Sequence, residues 1–153
     1  MTAKKQPEQI TFNLISHYLK DLSFESPQSP QIFSKLGTAP DIDFNIDIDA
    51  KKLNEETFEV TITASVNATE KEKKDSTIFV IECKYSGIFT LVCKDKKTQE
   101  EILLIECPNI LFPYLRRIIS DSSRDGGFPP VMMSHIDFRN LYLNNKNKKG
   151  TVN

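Results

Sequence analysis

No apolar run in this chain approaches the roughly 20 residues that a membrane-spanning helix needs. The N-terminal MTAKKQPEQ also lacks the apolar segment of a secretory signal. Direct membrane insertion is therefore not expected, and the cytoplasm is the expected location. An excess of charge of one sign is missing too: 20 basic against 21 acidic residues leave a net charge of -1. No global basic field is present to attract nucleic acid. Cysteine is scarce and odd in number, as Cys83, Cys93 and Cys107, with no C-x-x-C pairing. Free thiols in a reducing compartment are expected, and no metal site. The five glycines are scattered, so no phosphate-binding loop can be drawn. His17 and His135 have no neighbouring cysteine or aspartate-rich motif, and Cys107 precedes a proline. Neither an enzyme nor a cofactor is expected.

What is present is a strong alternation of apolar and polar residues. At 153 residues the chain suits one domain with one core, residues 1–153. In TFEVTITASVNAT, Phe58, Val60, Ile62, Ala64, Val66 and Ala68 face away from Glu59, Thr61, Thr63, Ser65 and Asn67. DIDFNIDID sets Ile42, Phe44, Ile46 and Ile48 against Asp41, Asp43, Asp47 and Asp49. In YLKDLSFE, Leu22 and Phe24 oppose Asp21, Ser23 and Glu25; in TIFVIECKY, Phe79, Ile81, Cys83 and Tyr85 form the drier side. Four one-sided strands predict an antiparallel sheet. Between the first two lies SPQSPQIFSKLGTAP, too long and too rich in proline for a hairpin, hence a loop crossing over other elements. NATEKEKKDS reads as a solvated hairpin tip.

The period then changes. TQEEILLIEC and PYLRRIISDSSRDGG space their apolar residues by three and four, so that Leu111, Leu115, Ile118 and Ile119 share a helical face ended by the paired glycines. In CPNILFPYLRR, Pro108 is expected to open a tight turn and Pro113 to sit early in the helix, splaying Phe112 away. A last short helix is expected in DFRNLYLNNK with Asp137 as N-cap. Tails of about 1–9 and 144–153 are expected to be disordered. The fold class is α+β: a four-stranded antiparallel sheet followed by C-terminal helices.

CPNILFPY, preceded by SGIF and followed by DGGFPP, resembles the signature region of SecB, the family of bacterial protein-export chaperones. YLKDLSFESPQSP is similar to that family's first strand and following loop, and the similarity runs from Ile10 to Tyr142 in the same order. The resemblance implies a homotetramer, a dimer of dimers. It also implies binding of unfolded secretory preproteins in apolar grooves, without nucleotide, and their delivery to the SecA translocation ATPase. It carries a SecA-binding surface onto Asp21, Glu25, Val80 and Glu82. The preprotein groove is expected between the crossover and the last helix, walled by Ile32, Phe33, Ile42, Phe44, Phe128, Phe138, Leu141 and Tyr142. An oligomer interface is expected at Ile81, Cys83, Tyr85, Ile110, Leu111, Leu115, Ile118 and Ile119. For each apolar residue here, ordinary core is the competing explanation.

The sequence departs from the family in three places. Members are usually strongly acidic, whereas this chain is nearly neutral; the tail, commonly acidic, carries Lys146, Lys148 and Lys149; and SKLGTAP lacks the tryptophan often found in the crossover. Weaker steering of SecA and a shallower aromatic wall are the consequences to expect. The alternative function is a SecB-like chaperone dedicated to a single partner such as an antitoxin.

Overall fold

The computed structural model describes residues 9–35 and 37–150, the side chains of 148–150 excepted. Four strands come first: β1 (Thr11–Glu25), β2 (Asp41–Lys52), β3 (Thr57–Glu70) and β4 (Lys73–Val92). They form one antiparallel sheet in the order β1-β4-β3-β2. The order accounts for the proline-rich segment, since β1 and β2 follow each other in sequence but lie at opposite edges. Within that crossover a 3-10 turn, Gln31–Ser34, drops Ile32 into the core and leaves Phe33 outside.

The alternation sorts the sheet into two faces. On the inner face Phe58, Val60, Ile62, Ala64, Val66 and Ala68 of β3 lie beside Phe79, Ile81, Cys83 and Tyr85 of β4, all buried. β4 runs on beyond Tyr85, the expected end, through Gly87, Phe89 and Leu91 on the same face. β1 starts seven residues earlier than the YLKDLSFE segment, because register shifts between Leu14 and Ser16 and between Leu19 and Asp21 break its period. Each bulge inserts one residue and resets the alternation, so Phe12, Leu14, His17, Leu19, Leu22 and Phe24 share the inner face despite unequal spacing.

The helical region corrects the expectation for the prolines. α1 (Lys96–Glu101), a π-helical segment (Ile102–Glu106) and α2 (Cys107–Asp125) run end to end. Pro108 sits in the first turn of α2 and opens no separate turn; Pro113 lies inside the helix, and Phe112 is buried instead of splayed. The Cys107 N–H bonds to the Ile102 carbonyl, five residues back. Widening the helix just ahead of Pro108 accommodates a residue that has no N–H to donate. Pro113 is exposed, on the side of the helix where carbonyls can tilt toward water.

α2 ends in a glycine cap. The Gly127 N–H bonds to the Arg124 carbonyl and the Phe128 N–H to the Ser123 carbonyl, while Gly127 takes a φ of 91°. After the extended FPP segment, Asp137 accepts the Asn140 N–H at 3.1 Å and starts α3 (Phe138–Gly150). That helix continues past residue 143, where the C-terminal tail was expected to lose structure; residues 1–8 and 151–153 of the expected tails lie outside the described residues.

α2 packs across β4 and β3, with Leu111, Leu115 and Ile119 fully buried. The approach is closest at Gly87, where an added Cβ would stand 2.8 Å from Leu111 Cδ2 and 2.8 Å from Phe89 Cε2. Gly87→Ala is therefore expected to cost about 1–3 kcal/mol, read as a lower urea midpoint. At Gly37 an added Cβ meets nothing within 4 Å, so Gly37→Ala should stay within about 0.5 kcal/mol of the parent. Equal midpoints for the two variants would remove Gly87 as the limit on helix approach.

Candidate functional site

A groove of about 550 Å³ opens beside the start of β2. One wall is the crossover, Gly37 to Pro40, which carries only small side chains; the other is the segment Phe128 to Met132 that follows the glycine cap. Phe79 forms part of the floor, and Ile42 and Phe44 line the β2 side, with Phe44 46% exposed. Phe128 anchors this floor. Its ring centroid lies 4.8 Å from Phe79, 5.2 Å from Phe33 and 6.5 Å from Phe24, joining β4, the crossover and β1 through one aromatic cluster. The cap at Gly127 delivers Phe128 to that position.

The apolar stripe continues along the inner face of β2 through Ile46 to Ile48 and Ala50. There a shallower hollow of about 370 Å³ is completed by Leu103 and Leu104 of the π segment. β2 is a sheet edge, so its outer row of backbone N–H and carbonyl groups has no strand partner among the described residues. A larger open hollow of about 840 Å³ at the β3–β4 turn is lined by Asp41, Glu72, Lys73, Lys74 and Asp75. Burying an apolar segment there would desolvate those charged side chains, at a cost.

The outer face of the sheet is polar. Register sets Glu25 opposite Val80, Ser23 opposite Glu82 and Asp21 opposite Lys84. The same rows cross β3 at Asn67, Ser65 and Thr63 and end on Asp43, Asn45 and Asp47 of β2. Asp21, Glu25 and Glu82 are exposed, and Val80 is half-buried among them. Further along, Tyr18 donates a hydrogen bond to Glu59 Oε2, and Lys20 Nζ reaches Glu59 Oε1 at 2.8 Å. Those bonds from Lys20 and Tyr18 hold the Glu59 carboxyl below its usual range. Desolvation and the Glu59 carboxylate push the Tyr18 hydroxyl up to about 12.

Burial pushes the Cys83 thiol up to about 11, assisted by Asp21, and pushes Cys107 higher still, assisted by Glu106. Neither thiol is poised as a nucleophile. Among the described residues no cluster of histidine, cysteine, aspartate or glutamate could hold a metal ion, and no helix is long and apolar enough to cross a membrane.

The profile of the family described as "Preprotein translocase subunit SecB" matches residues 4–149. This chain belongs to the SecB family. It is 42% identical over 129 residues to the protein-export protein SecB of Maricaulis maris, covering 84% of this chain and 73% of that one. The SecB of Acidiphilium cryptum is 38% identical over 152 residues, covering 92% and 90%. Among solved structures, the Mycobacterium tuberculosis SecB-like chaperone in complex with a ChAD peptide from the HigA1 antitoxin superposes with a TM-score of 0.63 at 15% identity, over 82% of this chain and 90% of that one. That likeness is one of fold, and it agrees with the α+β architecture found here.

Within this SecB-family fold, the residues expected to wall the groove divide. Ile42, Phe44 and Phe128 line it, and Phe33 stacks on Phe128 at its rim. Ile32 and Phe138 are core, the latter edge-on to Phe112. Tyr142 is buried and donates to Glu100 Oε2 at 3.1 Å, while Leu141 is half-buried on the same helix. α3 packs on the π segment, toward the other end of β2 from the crossover. Met132 and Val131, absent from the sequence-based set, are wall residues; the paired glycines ahead of FPP were the signal that this segment turns back over the sheet.

The expected oligomer interface is corrected more sharply. Ile81, Cys83, Leu111, Leu115 and Ile119 are completely enclosed by their own chain, and Tyr85 and Ile118 nearly so, leaving only Ile110 half-exposed. A residue with no accessible surface cannot touch a neighbour. The α2 stripe is consumed by the sheet beneath it, and the exposed apolar side chains of that region are Leu14, Leu19 and Leu22 of β1 together with Tyr114.

Because Glu59 is held below its unfolded range, its share of stability is complete above the unfolded carboxyl pKa, about 4.3. It is lost as pH falls through the lower folded value. Urea midpoints of the parent chain should therefore fall more steeply below about pH 4.3 than those of Glu59→Gln. Parallel acid profiles for the two proteins would show that the Tyr18–Glu59–Lys20 network does not contribute.

Proposed function

We propose that this chain is a protein-export chaperone that binds unfolded preproteins along the groove and the edge of β2, keeping them competent for translocation. The observation that carries this reading is an open apolar groove adjoining the edge strand of the sheet. Apolar burial is non-directional, contributing about 1.5–3 kcal/mol for each Leu, Phe or Val side chain fully removed from water. It is offset by the cost of ordering the client. Main-chain pairing along β2 would hold an extended backbone whatever its sequence. Both terms tolerate many clients, which an export chaperone requires, and neither needs catalysis or a nucleotide.

The reading continues on the outer sheet face. Asp21, Glu25 and Glu82 around Val80 form an anionic surface with a small apolar centre, suited to a basic segment of SecA. Lys84 lies beside Asp21 in the same patch and weakens the field, in keeping with the nearly neutral chain. The assembly we propose is a cytoplasmic homotetramer, a dimer of dimers, in which the exposed leucines and open edge of β1 meet a second copy. The dedicated-partner alternative has one support, the antitoxin peptide in complex with the Mycobacterium tuberculosis SecB-like chaperone, and the likeness to that protein is one of fold alone.

The deciding measurement is affinity for a secretory precursor held unfolded in mild urea, against the same precursor folded. Tight binding to the unfolded form alone is expected; equal, weak binding to both would overturn the export reading in favour of a single dedicated ligand. Phe44→Asp should lower that affinity by roughly tenfold or more without changing the circular dichroism, because Phe44 is exposed at an edge. Glu82→Lys should weaken SecA binding and leave precursor binding intact. An unchanged SecA affinity in Glu82→Lys would remove this residue from the motor site.

A further inference from the structure

The two consecutive methionines of VMM lie in opposite environments. Met133 is 6% exposed in the core, whereas Met132 is 74% exposed on the wall of the groove. The Ser120 hydroxyl, on the last turns of α2, lies 3.6 Å from the Met132 sulfur and donates to it. A thioether is a weak acceptor, so this contact costs the apolar wall little. Oxidation changes that balance, since a sulfoxide is polar, chiral and a much stronger acceptor.

We propose that Met132 is a redox modification site: its conversion to the sulfoxide by a peroxide lowers the affinity of the groove for apolar segments, and reduction by a methionine sulfoxide reductase at the expense of two thiols restores it. The inference rests on the chaperone reading for its consequence. In the step, a sulfur lone pair attacks one oxygen of hydrogen peroxide. The S–O bond forms as the O–O bond breaks, and the proton of the transferred oxygen passes to the departing hydroxide to give water. The thioether loses two electrons and the peroxide gains them. Reversal takes two thiols, which yield a disulfide and water as the sulfoxide returns to thioether.

Three features make the site selective. Exposure admits the oxidant at Met132 and denies it at Met133. The Ser120 hydroxyl stands next to the sulfur, where it can donate to the new oxygen and hold it at the wall. The crossover wall opposite, Gly37 to Pro40, has no side chain long enough to cover the change. A client would then meet a polar group where it had met a thioether, and an unpaired polar group against apolar surface is costly.

The test uses the full chain treated with hydrogen peroxide and then with dithiothreitol, which returns cysteine sulfenates and disulfides to thiols but leaves sulfoxides. Fragmentation mass spectrometry is expected to find Met132 oxidised well before Met133. Affinity for the urea-unfolded precursor should drop by about fivefold to tenfold, and recover only after methionine sulfoxide reductase is added. Met132→Leu, compared with its own untreated affinity, should show no loss after peroxide, while Met132→Gln should bind weakly without it. Equal oxidation of the two methionines, or an equal loss in Met132→Leu, overturns the proposal. Failure of the untreated parent to bind precursor overturns the chaperone reading itself, and the oxidation order is then still read independently.

Discussion

The close packing of α2 on the inner face of the sheet governs the rest of the molecule. Gly87 removes a side chain where Leu111 and Phe89 converge, and the helix settles onto β4 and β3 at that point. Because α2 covers the middle of the sheet, the inner faces of both edge strands are left partly bare: Leu14, Leu19 and Leu22 on β1, and Ile42, Phe44, Ile46 and Ile48 on β2. The apolar surface offered to other chains is thus set by where the chain's own helix stops.

The two faces and two edges divide the work. The inner face holds the core and, at the β2 edge, the groove; the outer face, polar from edge to edge, offers a charged surface. Phe128 couples the groove to the core through Phe79, Phe24 and Phe33, so the floor is as rigid as the packing beneath it. Across from it, the described crossover residues Gly37 to Pro40 carry only small side chains. A fixed floor facing a side-chain-poor wall suits a ligand defined by apolarity more than by sequence.

Most of the sheet was legible in the sequence because period-two alternation is a direct image of one buried face. Phe58 to Ala68 and Phe79 to Tyr85 lie where that rule puts them. The first half of β1 was illegible because two bulges reset its phase, and a local period cannot register residues that only a partner strand reveals. Alternation sets Asp21 and Glu25 on one face of β1, and Val80 and Glu82 on one face of β4, but only the pairing register puts the two sets on the same side of the sheet. The groove was half readable: Ile42, Phe44 and Phe128 line it, but Phe138 and Tyr142 have the same composition and lie in the core. Composition marks a side chain as apolar; which neighbours reach it first depends on tertiary placement. The α2 stripe failed as an oligomer surface for that reason, its own sheet having claimed it.

The strand order has a consequence during synthesis. β2, β3 and β4 follow one another and can pair as each emerges, but β1 pairs only with β4, and its first residue, Thr11, meets Val92. The first strand made is the last to find its place. Until the ribosome has released the whole of β4, those leucines and that strand edge hang unpaired, closing a long loop at an entropic cost that local hairpins avoid. A nascent copy of this protein is for that interval an unfolded chain with exposed apolar residues, and it presents to its surroundings the same kind of surface that a mature copy is shaped to hold.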